Sequence, residues 1–206
     1  MKLELLPVRR WDDVLPVYRG TPIGDLLGYH NLRRPHRQYA GAELLIGMCM
    51  DNRKVLRIPD NFAFVLRAGG ANLRRMEFKV SFAVAVGGVR AVCLIGHDEC
   101  GMVDLRARRE AFVCGLVERG GWERHAAEDH FDRHAPELEI PDAAEFVFGE
   151  ARRLRERYPR VPVAPLFYRI GDGLLYQIRD DPQASARASP ERSEGHERLD
   201  RSDCNG

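Results

Sequence analysis

Three short, unbroken apolar runs constrain this chain more than any other feature. Leu44 to Met50, Phe62 to Leu66 and Ala91 to Ile95 are each bounded by Gly, Asp or Asn. A strand with one solvated face alternates apolar and polar residues; a strand covered on both faces does not need to. Such runs predict parallel strands buried between layers of helix. Between the second and third, Leu73, Met76, Val80, Ala83 and Val84 recur at helical spacing and Gly87-Gly88 closes the segment. Strand, helix, strand in that order is a right-handed βαβ crossover.

The rest of the chain is built around that unit. Segments 103–119, 122–134 and 142–158 fit helices. Val161 to Tyr168 and Leu174 to Ile178 read as two strands joined at Gly171-Asp172-Gly173. Pro162 and Pro165 argue against a central place for the first of these. The expected class is α/β, a mainly parallel sheet flanked by helices. Residues 1–40, rich in Pro, Arg and Gly, read as an irregular N-terminal arm with one or two short helices. Residues 41–180 read as one α/β domain. Residues 181–206 hold few apolar side chains and read as a disordered tail.

With 32 Lys+Arg against 31 Asp+Glu, the chain lacks the basic excess of a nucleic-acid binder. It has no apolar stretch long enough to span a membrane. Glu4 and Pro7 interrupt the N-terminus where a signal peptide needs an unbroken apolar run, so a cytoplasmic location is expected. In that compartment five widely spaced cysteines read as metal ligands, catalytic groups or core rather than disulfides.

Two motifs end strands. Cys49-Met50-Asp51-Asn52-Arg53 is C-x-D-x-R, and in an extended chain its thiol, carboxylate and guanidinium face one side. His97-Asp98-Glu99-Cys100 is H-x-x-C directly after Gly96. Sites in open α/β sheets gather beyond the carboxyl ends of the strands, where both motifs lie. Two thiolates and one imidazole suit Zn²⁺, one per chain, held by Cys49, His97 and Cys100. Three protein ligands leave a fourth position for water, whose pKa zinc lowers to about 7. Asp51 would orient the resulting hydroxide, with Arg53 holding Asp51 ionised.

Other candidates weigh less. Cys93 lies about 13 Å from His97 along an extended strand, too far to share a metal, and reads as core, as does Cys114. His130 and His134 share a helix face near His125 but lack a further ligand. His30 and His36 sit among Arg33, Arg34 and Arg37 in a solvated basic run. No phosphate loop, dinucleotide glycine motif, C-x-x-C or G-x-S-x-G elbow is present.

On these residues the chain resembles the β-class carbonic anhydrases. The likeness rests on Cys49 to Arg53 and Gly96 to Gly101. It extends through Phe64 to Arg67, Ser81 and Leu166 to Tyr168, covering residues 40 to 178. The resemblance implies zinc on Cys49, His97 and Cys100, an Asp51–Arg53 dyad, a homodimer with sites near its interface, and reversible hydration of CO₂ to bicarbonate and a proton. It also implies a resting form in which the aspartate replaces water on the metal. One departure is visible. Where the family follows the second strand's Arg with Asn-Ala-Gly-Asn, this chain has Arg67-Ala68-Gly69-Gly70-Ala71-Asn72, without the first amide and with the second displaced by one. CS₂ or COS hydrolysis on the same site, or a non-catalytic zinc scaffold closed by Asp51, are the alternative readings.

Overall fold

Leu44, Ile46 and Met48 face one side of their strand and Leu45 the other, and all four are fully buried. Ala91, Cys93 and Ile95 alternate with Val92 and Leu94 in the same way. Both faces of these strands are therefore core, as unbroken apolar runs require. The computed structural model describes residues 3–180; the expected tail, with Cys204, lies outside the described residues.

The chain runs β1 (Leu3–Pro7), α1 (Pro22–His30), β2 (Leu44–Met48), β3 (Ala63–Arg67), α2 (Glu77–Ala85), β4 (Ala91–His97), α3 (Arg109–Gly120), α4 (Arg124–Leu138), α5 (Ala143–Arg157), β5 (Val163–Arg169) and β6 (Leu174–Asp180). The six strands form one sheet in the order β1-β6-β5-β4-β2-β3. β3, β2, β4 and β5 are parallel, while β6 and β1 pair antiparallel at one edge. On one face Leu45, Val92 and Leu94 pack with Val80 and Ala83 of α2 and Val147, Ala151 and Leu154 of α5. On the other, Ile46, Cys93 and Ile95 pack with Ile23, Leu26 and Leu27 of α1.

Several expectations are corrected in detail. The N-terminal segment, with its short helices, packs on its own chain. β1 joins the sheet edge, and Thr21 caps α1, which starts at Pro22 and packs, with Val8, Val14, Tyr18 and Tyr39, against one face of the sheet. His30 belongs to that packing: its Nε2 meets the Gly173 carbonyl at 2.9 Å and its Nδ1 accepts from the Arg57 amide. Arg33, Arg34, His36 and Arg37 are exposed, as expected of a solvated run, while Arg34 also stacks on Trp11 and Arg37 pairs with Asp25 and Glu43.

β5 is an interior strand in spite of Pro165, and Pro162 lies just before it. The β5–β6 ladder begins at Leu166, so the missing Pro165 amide removes no bond from it. The crossover helix proper begins at Glu77, after a short 3₁₀ turn. The helix expected from 103 begins at Arg109, because Val103 instead bridges to Ile140 and a 3₁₀ turn follows. Cys93 is core, as expected, and burial pushes its thiol up. Cys114 is not: it is half-buried on α3, with its thiol on Glu110 at 3.1 Å. Among the described residues no helix is long and apolar enough to cross a membrane.

Candidate metal centre

β2 and β4 are neighbours in register, with Met48 opposite Ile95. The residues just past their carboxyl ends are thus brought together whatever their separation in sequence. Cys49 leaves β2, His97 ends β4, and Cys100 lies on the turn that follows. Their ligand atoms all lie within 4.8 Å of one another, and all three side chains are buried. Among the described residues this is the only converging group of three or more His, Cys, Asp or Glu. His130 and His134 do meet, with rings 4.7 Å apart, but gather no third ligand.

The close approach that builds the site depends on Gly96. A Cβ there would stand 2.7 Å from the Ala143 carbonyl oxygen, so its absence lets the first turn of α5 cross β4 directly before His97. Asp142 fixes that turn by accepting from the Ala144 and Glu145 amides at 2.8 Å each.

The histidine is set for a metal. Its Nδ1 lies 2.6 Å from the Asp98 carbonyl, which can only accept, so Nδ1 carries the proton and Nε2 the lone pair. Nε2 is buried without any hydrogen-bond partner. The Asp98 side chain is fixed in turn, its Oδ1 accepting from the Ile170 amide at 2.9 Å. A hydrogen bond from Cys100 pulls the Cys49 thiol far below its ordinary value. Burial opposes this, while the backbone amides of Asp51 and Gly70 assist. Cys100 is pushed up as that bond's donor and by its burial. Two thiols competing for one negative charge, beside an unpartnered imidazole nitrogen, are the donor set that a thiophilic dication satisfies. The residues fit zinc.

Beside the ligands, β2 has stopped at Met48, so residues 49 to 53 are not one extended run as expected. A turn makes the Asp51–Arg53 pair instead. The Arg53 backbone amide donates to Asp51 Oδ1 at 2.9 Å, and its guanidinium to Oδ2 at 2.7 and 3.1 Å. That clamp holds the Asp51 carboxyl well below the usual carboxylate range. Arg53 also donates to Glu99 Oε2 at 2.5 Å and to the Glu99 carbonyl at 3.2 Å, tying the two motifs together.

Three further residues shape this centre. Arg67 donates to the carbonyls of Cys49, Asp51 and Lys54 at 3.1, 3.3 and 3.1 Å, lacing the loop from β3. Glu99 meets Arg53 from the far motif. Lys54 is wholly buried, with Nζ 3.6 Å from Asp51 Oδ1. Burial pulls the Lys54 ammonium down, and the negative charges of Cys49, Asp51 and Cys100 oppose that. The substituted loop after Arg67 is not idle: Gly70 adopts φ 61° and turns its amide onto the Cys49 sulfur. Asn72 points elsewhere, donating to the Glu137 carbonyl at 3.3 Å. A cleft of about 640 Å³, lined by His97, Glu99, Cys100, Asp104, Arg108 and Phe167, opens beside the centre.

No protein-family model matches the chain, and no protein of curated function matches it by sequence. Solved structures do. A β-carbonic anhydrase, isoform I, from Trichomonas vaginalis aligns over 71% of this chain and 88% of its own, at 18% identity and a TM-score of 0.56. A carbonic anhydrase from Glaciozyma antarctica aligns over 80% and 95%, at 23% identity and a TM-score of 0.53. A carbonic anhydrase from Streptococcus mutans aligns over 76% and 95%, at 15% identity and a TM-score of 0.51. The fold is that of the β-carbonic anhydrases. At the point of that fold where β2 and β4 end, this chain carries a Cys49–His97–Cys100 group able to hold a metal.

Proposed function

We propose that the protein is a zinc-dependent carbonic anhydrase, interconverting CO₂ with bicarbonate and a proton. The observation that carries this reading is the buried Nε2 of His97, left without a partner within 4.8 Å of two cysteine sulfurs. Cys49, His97 and Cys100 would hold one zinc ion per chain. When bound, the ion supplies a water acidic enough to act as nucleophile near neutral pH.

The remaining work falls to the chain. The Asp98 carbonyl keeps the His97 lone pair on Nε2, and the amides of Asp51 and Gly70 stabilise the Cys49 thiolate. Asp51, held ionised by Arg53, is an acceptor only; it takes a proton-bearing donor at the centre and fixes its direction. The cleft admits a small, neutral, linear substrate. COS and CS₂ share that shape, and parallel assays with each rank the three.

We also propose a cytoplasmic homodimer. β3 is the open edge of the sheet, and beside it Phe64, Phe78, Phe82 and Val86 are all exposed. A contiguous apolar face at an unpaired strand edge is a surface that a second copy covers.

Stopped-flow CO₂ hydration with a pH indicator, on protein of measured zinc content, tests the activity. Hydration well above the buffer rate at one zinc per chain is expected. A zinc-replete sample no faster than buffer at pH 8.5 defeats the proposal and leaves the closed scaffold.

A further inference from the structure

The His30 ring is bonded through both nitrogens to elements other than its own helix. Nδ1 stands 3.1 Å from the Arg57 amide, which can only donate, so Nδ1 holds the lone pair. Nε2 carries the proton and donates to the Gly173 carbonyl at 2.9 Å. The last residue of α1 therefore joins the β5–β6 turn to the loop between β2 and β3, which bears Asp51 and Arg53. That loop is held at two places. Arg67 grips the carbonyls of Cys49, Asp51 and Lys54. Among the described residues, the Arg57 amide makes the only hydrogen bond from residues 55–61 to another element. Lys54, shortly before it in the chain, carries the ammonium beside Asp51. A second proton on the His30 ring goes to Nδ1 and sets one N–H against another. The Gly173 bond survives that proton and the Arg57 bond does not.

The ionisable groups around the ring are engaged elsewhere. Asp25 of α1 lies on Arg37, and the Tyr29 hydroxyl lies on that of Tyr39. Tyr168 of β5 presents its ring at 5.7 Å, and Arg169 lies over Tyr176. Asp172 of the β5–β6 turn accepts from the Tyr176 hydroxyl at 2.6 Å and the Leu174 amide at 3.0 Å. Arg57 offers the ring its amide and leaves its side chain exposed. Burial pulls the His30 imidazole below its ordinary value of 6.5, and the Gly173 carbonyl opposes that. The contact is intact above the ordinary value and is lost as pH falls toward the folded one.

We propose that His30 is a positioning residue of this centre, a latch that holds the Asp51–Arg53 loop while neutral and releases its far end when protonated. The latch stands on these contacts; its effect on turnover rests on the carbonic anhydrase reading.

Two measurements on zinc-loaded protein test it. Histidine-selective ¹⁵N NMR reads the tautomer and midpoint of His30. Amide hydrogen exchange at Arg57, corrected for its intrinsic pH dependence, reads the latch. The expected result is the Nε2–H tautomer at pH 8, a midpoint below 6.5, and Arg57 protection that falls about tenfold on crossing that midpoint. His30→Asn puts an oxygen where Nδ1 stands and cannot titrate, so it should keep the protection and lose its pH dependence. His30→Leu should show low protection at every pH. An Nδ1–H tautomer at pH 8, protection unchanged across the midpoint, or a wild-type pH dependence in His30→Asn overturns the proposal. If neither variant folds, the wild-type tautomer and exchange still decide. In CO₂ hydration the wild-type rate should fall more steeply with falling pH than that of His30→Asn, the two parting at the His30 midpoint. Profiles that coincide defeat the positioning role while the enzyme stands. A latch that titrates as stated in protein that does not hydrate CO₂ keeps the latch and loses the enzyme.

Discussion

The Arg67 guanidinium donates to the Cys49 carbonyl at 3.1 Å, so the last residue of β3 holds Cys49, just past the end of β2, in place from the neighbouring strand. The same group reaches the carbonyls of Asp51 and Lys54, and one side chain therefore fixes the path of the whole loop. Arg67→Met keeps the aliphatic stem and removes the three donations. Zinc affinity, measured by competition with a chromophoric chelator, should fall about 10- to 100-fold with the fold intact. An unchanged affinity means that the loop needs no lacing.

The Cys49 and Cys100 sulfurs are buried and lie within 4.8 Å of each other. Cys100→Ser removes a thiolate donor that zinc prefers to a hydroxyl. Metal content should drop below about a tenth of an atom per chain, and the stability added by zinc should vanish with it. Metal analysis together with thermal melts taken with and without zinc checks both. Full zinc occupancy in the variant contradicts the ligand assignment.

Asp51 is held ionised by Arg53, which sets the sign of a pH effect. A carboxyl whose folded pKa is depressed contributes stability that is fully present above its ordinary value of 3.8 and is lost as pH falls toward the folded value. Urea melts of Asp51→Asn without added zinc should therefore show lower stability than wild type at pH 5 to 8, and the gap should begin to narrow only below about pH 3.8 and shrink further as the pH is lowered. No gap at pH 5 to 8 refutes the pairing. The same variant should retain zinc and lose about 10²-fold or more in CO₂ hydration.

Gly96 stands where α5 crosses β4. In Gly96→Ala the added methyl meets the Ala143 carbonyl oxygen at 2.7 Å, a backbone atom that moves only with its helix. The expected cost is about 1–3 kcal/mol in urea denaturation, with weaker zinc binding because His97 is displaced. Wild-type stability places the helix further from the strand than it is found here.

Phe78 and Phe82 project from α2 beside the open strand β3, 81% and 51% exposed. Phe78→Asp should convert the proposed dimer to monomer in sedimentation velocity at micromolar concentration, because a charge buried in such a contact lacks a partner. A dimer that survives Phe78→Asp and Phe82→Asp together places the interface elsewhere.

Much of this architecture is legible in the chain because its signals are local. The runs at Leu44 and Ala91 announce strands covered on both faces, and β2 and β4 follow them; the run at Phe62 instead forms the edge strand β3, where Phe64 and Val65 are exposed. Cys49 and the His97–Cys100 step stand at the ends of two such runs, so parallel pairing alone brings them together. The N-terminal segment reads as an arm because its apolar residues are scattered between Pro and Arg. Their burial depends on a sheet face formed by residues far along the chain, to which Ile23, Leu26 and Leu27 attach. Pro165 misleads for a related reason, since its lost donor matters only where a ladder is present to receive it.

The order of apolar and polar residues along the chain determined the parallel α/β class and the three side chains that converge on one point, because strand burial and strand ends are properties of neighbouring residues. Only the tertiary structure decided what surrounds that point. Arg67 laces the loop because β3 happens to lie alongside β2, and Lys54 enters the interior because a turn, not a strand, follows Cys49. A side chain's partners across a sheet are set by register and chain reversal, and no spacing in the sequence records either.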